Sequence, residues 1–381
     1  MTQTSRTLPE PSADERAHSD RLRARLEARL AAVGWLAFDD YMREVLYAPG
    51  LGYYATGTIK IGDAAAGGDF VTAPEISPLF AQALAAQLAP LFAQVPAAVV
   101  EFGAGTGQLA AELLPALRRL GAPCRRYGIV EVSPDLRARQ REKLAGEPVE
   151  WLQRPPDDFA GVMLANEVLD VMPVKLFGKR DGIVVERGVV LERGRLRFAD
   201  RAPCAELAAA VAEIEEELGP LPDGYCSEVG LEARAWMRSA ARWLGRGVLL
   251  AIDYGFPRRE FYHPQRQMGT IMCHYRHHAH ADPFWWPGLC DLTAHVDFSA
   301  MAAAAHGAGL DVLGYTTQAH FLINCGLLDL LAAAQTAPAS AAAQRLLSEA
   351  EMGELFKVLA VARGVTGPMI GFARGDRTAR L

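Results

Sequence analysis

The chain lacks any uninterrupted apolar run near the roughly 18 residues that a membrane-crossing helix needs, so no membrane span is expected. It lacks a basic excess too. Its 39 Lys and Arg stand against 45 Asp and Glu, and a net charge of −6 argues against a general nucleic-acid binder. Cysteine is sparse: six thiols in 381 residues, without the dense spacing of a disulfide framework, fit a reducing compartment. The first twenty residues have no apolar stretch and carry Glu10, Asp14, Glu15 and Asp20. That argues against a secretory signal or a mitochondrial presequence, and the expected location is cytoplasmic. Half of the residues are hydrophobic, which supports a proper core and excludes wholesale disorder.

A chain of this length holds two domains or one enlarged domain. Residues 1–20 read as a disordered tail, and residues 21–95 as N-terminal helices with a lid loop. The loop is GTIKIGDAAAGGDFVTAPEIS, glycine-rich and long enough to be a binding loop. Pro78 then opens a helix with Leu79, Phe80, Leu84, Leu88 and Leu91 on its apolar face. From Ala98 the pattern alternates. AVVEF, YGIVEV, VEWL, GVMLAN and, much later, GVLLAID read as strands, with helices after the first two. Such alternation implies a parallel sheet flanked by helices, an α/β core over 96–173 and 246–375. Residues 174–245 break the rhythm. They turn at Asp181-Gly182 and Arg193-Gly194 and read as an antiparallel β/α insertion. DVLGYTTQ and FKVLAVA add two strands near the end.

In VVEFGAGTG, Gly103, Ala104, Gly105 and Gly107 sit between a buried strand and a helix. Glycine there permits positive φ and close backbone approach, and the helix start offers free N–H groups to an anion. The spacing is GxGxG; Gln108 stands where a nicotinamide-binding loop wants its third glycine. Glu101, just before the loop, suits a ligand ammonium. Glu131, at the end of the next strand, is placed for two ribose hydroxyls. S-adenosylmethionine carries an ammonium, a carboxylate and a ribose, so these residues point to a methyltransferase. The blander reading of GAGTG is a tight strand-to-helix turn.

LANEVLDVMPV leaves Asn166, Glu167 and Asp170 beyond the carboxyl end of a strand, where doubly wound sheets bind ligands. Asn166 is assigned to the cofactor side, and Glu167 and Asp170 to the methyl acceptor; a helix cap is the plain alternative. Glu75 in APEIS is a third carboxylate for the acceptor, or else an acid complementing a helix N-terminus. Asp253 in AIDYG is a similar but weaker signal. Cys273, His274, His277, His278 and His280 invite a zinc reading. They lack separated ligand pairs, so no metal is assigned. That segment, with Tyr275, Trp285 and Trp286, lines an acceptor groove or packs as a loop. GLLDLLAAA has helical spacing and reads as buried core or as the face of a homodimer.

With these blocks in place, the sequence resembles the methyltransferase family of the mitochondrial complex I assembly factor 7 and its bacterial relatives. The resemblance rests on GDFVTAPEIS, VVEFGAGTG, VEVSPDL, LANEVLDVMPV, LLAIDYGF, DLTAHVDF and MGELFKVLA, from about residue 35 to 362. It implies a class I methyltransferase fold, with a Rossmann-like seven-stranded sheet, an inserted subdomain and an N-terminal helical lid. It implies S-adenosyl-L-methionine as cofactor and a protein arginine side chain as acceptor. The alternatives are a small-molecule or other side-chain methyltransferase, and a cofactor-binding assembly chaperone without turnover.

Overall fold

Seven strands line up along the larger sheet of the computed structural model, which describes residues 8–56 and 68–381. They are β1 (Ala98–Phe102), β2 (Arg126–Val130), β3 (Val149–Leu152), β4 (Phe159–Asn166), β5 (Leu244–Phe256), β6 (Asp311–Thr317) and β7 (Phe356–Arg363). Their order across the sheet is β6-β7-β5-β4-β1-β2-β3, and the short strand Val296–Asp297 pairs beside β5 as an eighth. β3, β2, β1, β4 and β5 are parallel neighbours, and β7 runs antiparallel between β5 and β6. A parallel sheet is covered on both faces, which is why β1 and β4 read as apolar runs and not as alternating ones.

The helix Gln108–Arg119 follows β1 and buries Leu109, Leu113, Leu114 and Leu117; Pro134–Lys143 follows β2. Pro78–Leu91 starts as its sequence predicts. Ser77 caps it by accepting from the Leu79 amide, Pro78 occupies the first helical position, and Phe80, Leu84, Leu88 and Leu91 are buried. Each such Leu or Phe contributes about 1.5–3 kcal/mol by leaving water.

The chain divides into two compact units. One holds the described residues up to Val71 with Val171–Leu231 and Pro264–Ala294; the other holds Thr72–Asp170, Glu232–His263 and His295–Leu381. In the first unit an antiparallel sheet orders Leu36–Ala37, Ile183–Glu192, Lys175–Arg180 and Cys226–Val229, with Arg195–Arg201 also on Ile183–Glu192. The hairpins turn where expected. Asp181 and Gly182 take φ 51° and 74°, and Arg193 and Gly194 take 49° and 71°, as two-residue turns between twisted strands require.

Several sequence-based boundaries move. The expected tail to Asp20 ends sooner, because a helix spans Ala13–Val33. Its start is a capping box: Ser12 Oγ accepts from the Glu15 amide, and Glu15 accepts from the Ser12 amide at 2.7 Å. The helices Ala13–Val33 and Phe38–Tyr47 belong with the inserted strands. Leu36 and Ala37 pair with Val189 and Gly188, and Lys175 bridges Asp39 (3.1 Å) and Glu186 (3.0 Å). The insertion itself stops short of 245, since Leu231–Trp243 is a helix leading directly into β5. Residues 57–67 of the expected lid lie outside the described residues. The histidine-rich segment, expected to line a groove or pack as a loop, contains a small antiparallel sheet of Met272–Tyr275, His278–His280 and Asp291–Thr293. Cys290 Sγ there lies 3.4 Å from His280 Nε2. In GLLDLLAAA, Leu327 is buried and Leu330 and Leu331 pack on the core of the second unit. Among the described residues, no helix is long and apolar enough to cross a membrane.

Candidate functional site

The loop after β1 is built from left-handed backbone. Gly103, Gly105 and Gly107 have φ of 60°, 54° and 83°, and Gly107 caps the helix Gln108–Arg119. A side chain at Gly103 would meet Val168 Cγ2 at 3.2 Å, and one at Gly107 would meet Gln140 and Leu144 at 3.4 Å. Glycine is therefore needed for both conformation and close packing. The Gly103 contact also shows that the segment after β4 lies directly against this loop.

Glu101 is buried on β1, where its Oε2 accepts the Tyr127 hydroxyl at 2.6 Å. Burial pushes its carboxyl up to about 7; the Tyr127 hydrogen bond opposes this and the charge of Glu131 adds to it. Glu131 is also buried and raised, mainly by desolvation. The Ser133 amide (2.8 Å) and Gln140 Nε2 (3.0 Å) hold its two oxygens and oppose the rise. Gln140, itself fully buried, connects the parts. Its Nε2 also donates to Gly105 O at 2.8 Å, and its Oε1 accepts from Trp151 Nε1 at 2.9 Å. Next to Glu131, Val132 leaves an apolar side chain 75% exposed.

After β4 the chain turns sharply. Glu167 takes φ 53°, a left-handed conformation that costs about 1–3 kcal/mol for a residue other than glycine. The surroundings hold it there. The Glu167 amide donates to Ile252 O at 2.9 Å, and the next three amides, Val168, Leu169 and Asp170, donate to Asp253 Oδ2 at 3.1, 2.9 and 3.3 Å. Asp253 Oδ1 accepts from the Tyr254 amide at 2.9 Å, and the Tyr254 hydroxyl donates to Asp170 Oδ2 at 2.5 Å. Burial, with the charges of Asp170 and Glu167, pushes the Asp253 carboxyl well up, against the pull of the amides. Glu167 Oε1 accepts from Asn166 Nδ2 and from the Ala73 amide, both at 3.2 Å.

The structure thus brings Glu101, the glycine loop, Glu131, Asn166, Glu167 and Asp170 to the carboxyl ends of adjacent parallel strands. Glu75 is an acid in the first turn of a short helix, as the plainer of its two expected readings has it. It lies on the short helix Ala73–Ile76, and its carboxylate accepts the Thr106 hydroxyl, tying it to the glycine loop. Lys143 Nζ reaches the same hydroxyl at 3.0 Å. Sequence reasoning missed Tyr127, Gln140, Thr106 and Tyr254, and gave Asp253 too little weight. Thr106, inside the GAGTG loop, and Tyr254, directly after Asp253, carried a signal through their neighbours. A buried glutamine on an otherwise polar helix carries none.

Residues 83–316 match the model of a family described as S-adenosyl-L-methionine-dependent methyltransferase. The crystal structure of a Burkholderia thailandensis protein bound to S-adenosyl-homocysteine is 50% identical, has a TM-score of 0.92, and covers 98% of this chain and 100% of that one. The mitochondrial protein arginine methyltransferase NDUFAF7 of Mus musculus is 30% identical over 335 residues, 78% of this chain and 72% of its own. The Drosophila melanogaster homolog of that enzyme is 28% identical over 413 residues, covering 96% of this chain and 91% of its own.

Proposed function

Because the chain belongs to the S-adenosyl-L-methionine-dependent methyltransferase family, we propose that the methyl acceptor is an arginine side chain of a protein. The family fixes the cofactor as S-adenosyl-L-methionine, and the residues present suit it. The left-handed loop admits its close approach, Glu101 matches its ammonium, and Glu131 matches the ribose hydroxyls. Asn166 borders the same space, and Val132 offers an apolar face for the base. When bound, the cofactor supplies a methyl group activated on a sulfonium.

The observation that carries the acceptor reading is the pair Glu167 and Asp170 on one held turn, packed through Val168 against Gly103. A guanidinium is a planar, charged fork of N–H donors, and carboxylates match it in charge and geometry. Fixed carboxylates hold the fork and turn one nitrogen toward the methyl group. Orientation of this kind is the main service an enzyme gives to an in-line displacement. Glu75, bound to the loop through Thr106, lies on the cofactor side of this arrangement and supports the turn through the Ala73 amide of its helix. The names of the NDUFAF7 relatives agree with arginine as acceptor.

The test is transfer from methyl-labelled S-adenosyl-L-methionine to an extract of cells lacking this protein, with hydrolysis and amino-acid analysis. Label in methylarginine from a protein band supports the proposal. Label confined to small molecules, or to another amino acid, overturns it.

A further inference from the structure

We propose that Asp253 is the positioning residue of the transfer site, fixing the Glu167–Asp170 turn through its backbone without itself meeting the acceptor. This rests on the reading of Glu167 and Asp170 as the groups that hold the acceptor. Four consecutive amides, from Glu167 to Asp170, are all claimed by two neighbouring residues of β5: Ile252 through its carbonyl and Asp253 through one carboxylate oxygen. One oxygen that accepts three successive N–H groups forces the peptide planes between them to converge. Such a nest fixes the φ and ψ of the turn as a covalent ring would. The left-handed Glu167 needs that constraint, since a residue with a side chain relaxes out of this region when nothing over-determines it.

The circuit then closes on the side chains. Asp253 Oδ1 holds the Tyr254 amide, and the hydroxyl of Tyr254 donates to Asp170 Oδ2 at 2.5 Å. The dipeptide Asp253-Tyr254 therefore controls both the backbone and the carboxylate of Asp170. The Tyr254 ring is in turn braced edge-on by His295 and Phe356, with centroids 5.2 Å away in each case. Asp253 is only 1% exposed, and its carboxylate accepts four hydrogen bonds from backbone amides. Its role is geometric: it places groups that act, and remains behind them.

The experiment uses the full chain with Asp253→Asn and Tyr254→Phe, and reads three quantities. These are hydrogen exchange of the peptide spanning residues 165–172, S-adenosyl-L-methionine affinity by calorimetry, and methyl transfer to the extract described above. The amide of Asp253→Asn has one acceptor oxygen and one NH2 group, so either the three nest amides or the Tyr254 amide must face a donor, and the oxygen left to accept carries no charge. The expected result is faster exchange of the 168–170 amides, cofactor affinity within about twofold of wild type, and transfer reduced on the order of 100-fold, the usual cost of a misplaced reacting group. Tyr254→Phe keeps the nest and frees only the Asp170 carboxylate. It should leave exchange at 167–169 unchanged and lower transfer about tenfold, near the worth of one charge-assisted hydrogen bond.

Unchanged exchange or unchanged transfer in Asp253→Asn overturns the proposal, as does a loss of cofactor affinity equal to the loss of transfer. If Asp253→Asn fails to fold, Asp253→Glu, whose longer stem moves the accepting oxygen, is read in the same three ways, and wild-type exchange or wild-type transfer in it overturns the proposal. If the wild-type protein labels no arginine, the function proposed above fails, while the exchange measurement still decides whether Asp253 fixes the turn.

Discussion

The Tyr127 hydroxyl donates to Glu101 Oε2 at 2.6 Å, joining two neighbouring parallel strands through a buried carboxyl group. Burial lifts that carboxyl to about 7 against an ordinary value of 4.5, so the folded protein binds its proton more tightly than the unfolded chain does. The associated stability is fully present below the unfolded value and is lost as pH rises through about 7. At 1.36 kcal/mol per pH unit it amounts to about 3 kcal/mol. The ligand-free protein should therefore melt at a higher temperature at pH 6 than at pH 8, and Glu101→Gln should flatten the difference. Cofactor binding should run the other way. If the ionised form meets the ammonium, affinity falls below pH 7, and calorimetry across pH 6 to 8 reads this directly.

Gln140 joins the glycine loop, Glu131 and Trp151 with three hydrogen bonds from a fully buried amide. Gln140→Leu keeps the bulk and removes all three hydrogen bonds, at about 1–3 kcal/mol for each partner atom that water cannot reach. We expect a lower melting temperature and at least tenfold weaker cofactor binding, because Glu131 loses its orientation. Normal affinity in this variant would remove Gln140 from the site.

Gly105 has φ 54°, in the region that β-branched residues avoid most strongly. Gly105→Val should abolish S-adenosyl-L-methionine binding by closing the loop. Titration calorimetry on the folded variant gives the answer, and wild-type affinity would mean that the loop assignment is wrong.

Glu167→Gln retains the size of the side chain and removes its charge. Cofactor affinity should stay within about twofold, while transfer falls on the order of 100-fold, because the guanidinium loses its counter-charge at the moment of attack. Full activity would shift the acceptor role to Asp170.

At the other end of the chain, Ser12 and Glu15 cap the helix Ala13–Val33 reciprocally. Ser12→Ala should cost about 1 kcal/mol. Urea denaturation detects that loss, and an unchanged midpoint would mean that the cap is not formed in solution.

Much of this protein was decided by local sequence. The apolar runs AVVEF and GVMLAN, alternating with helices, suit strands of a parallel sheet covered on both faces, and the glycines of GAGTG permit a left-handed loop between strand and helix. Asp181-Gly182 and Arg193-Gly194 turn because their residues tolerate positive φ. The carboxylates Glu101, Glu131, Glu167 and Asp170 stood out because each falls at or near a strand end, where an α/β sheet binds its ligand. Tertiary structure alone decided how those groups are held. Gln140 reaches Gly105, 35 residues away, and Asp253 reaches the Glu167–Asp170 turn across more than 80 residues. Neither is marked by periodicity, since hydrogen bonds between distant segments leave no trace in local spacing. The same holds for Glu75, whose place beside Thr106 depends on where its short helix packs and not on the APEIS motif itself. Sequence patterns record which face of an element is apolar; which polar group meets which is settled only when the strands take their order in the sheet.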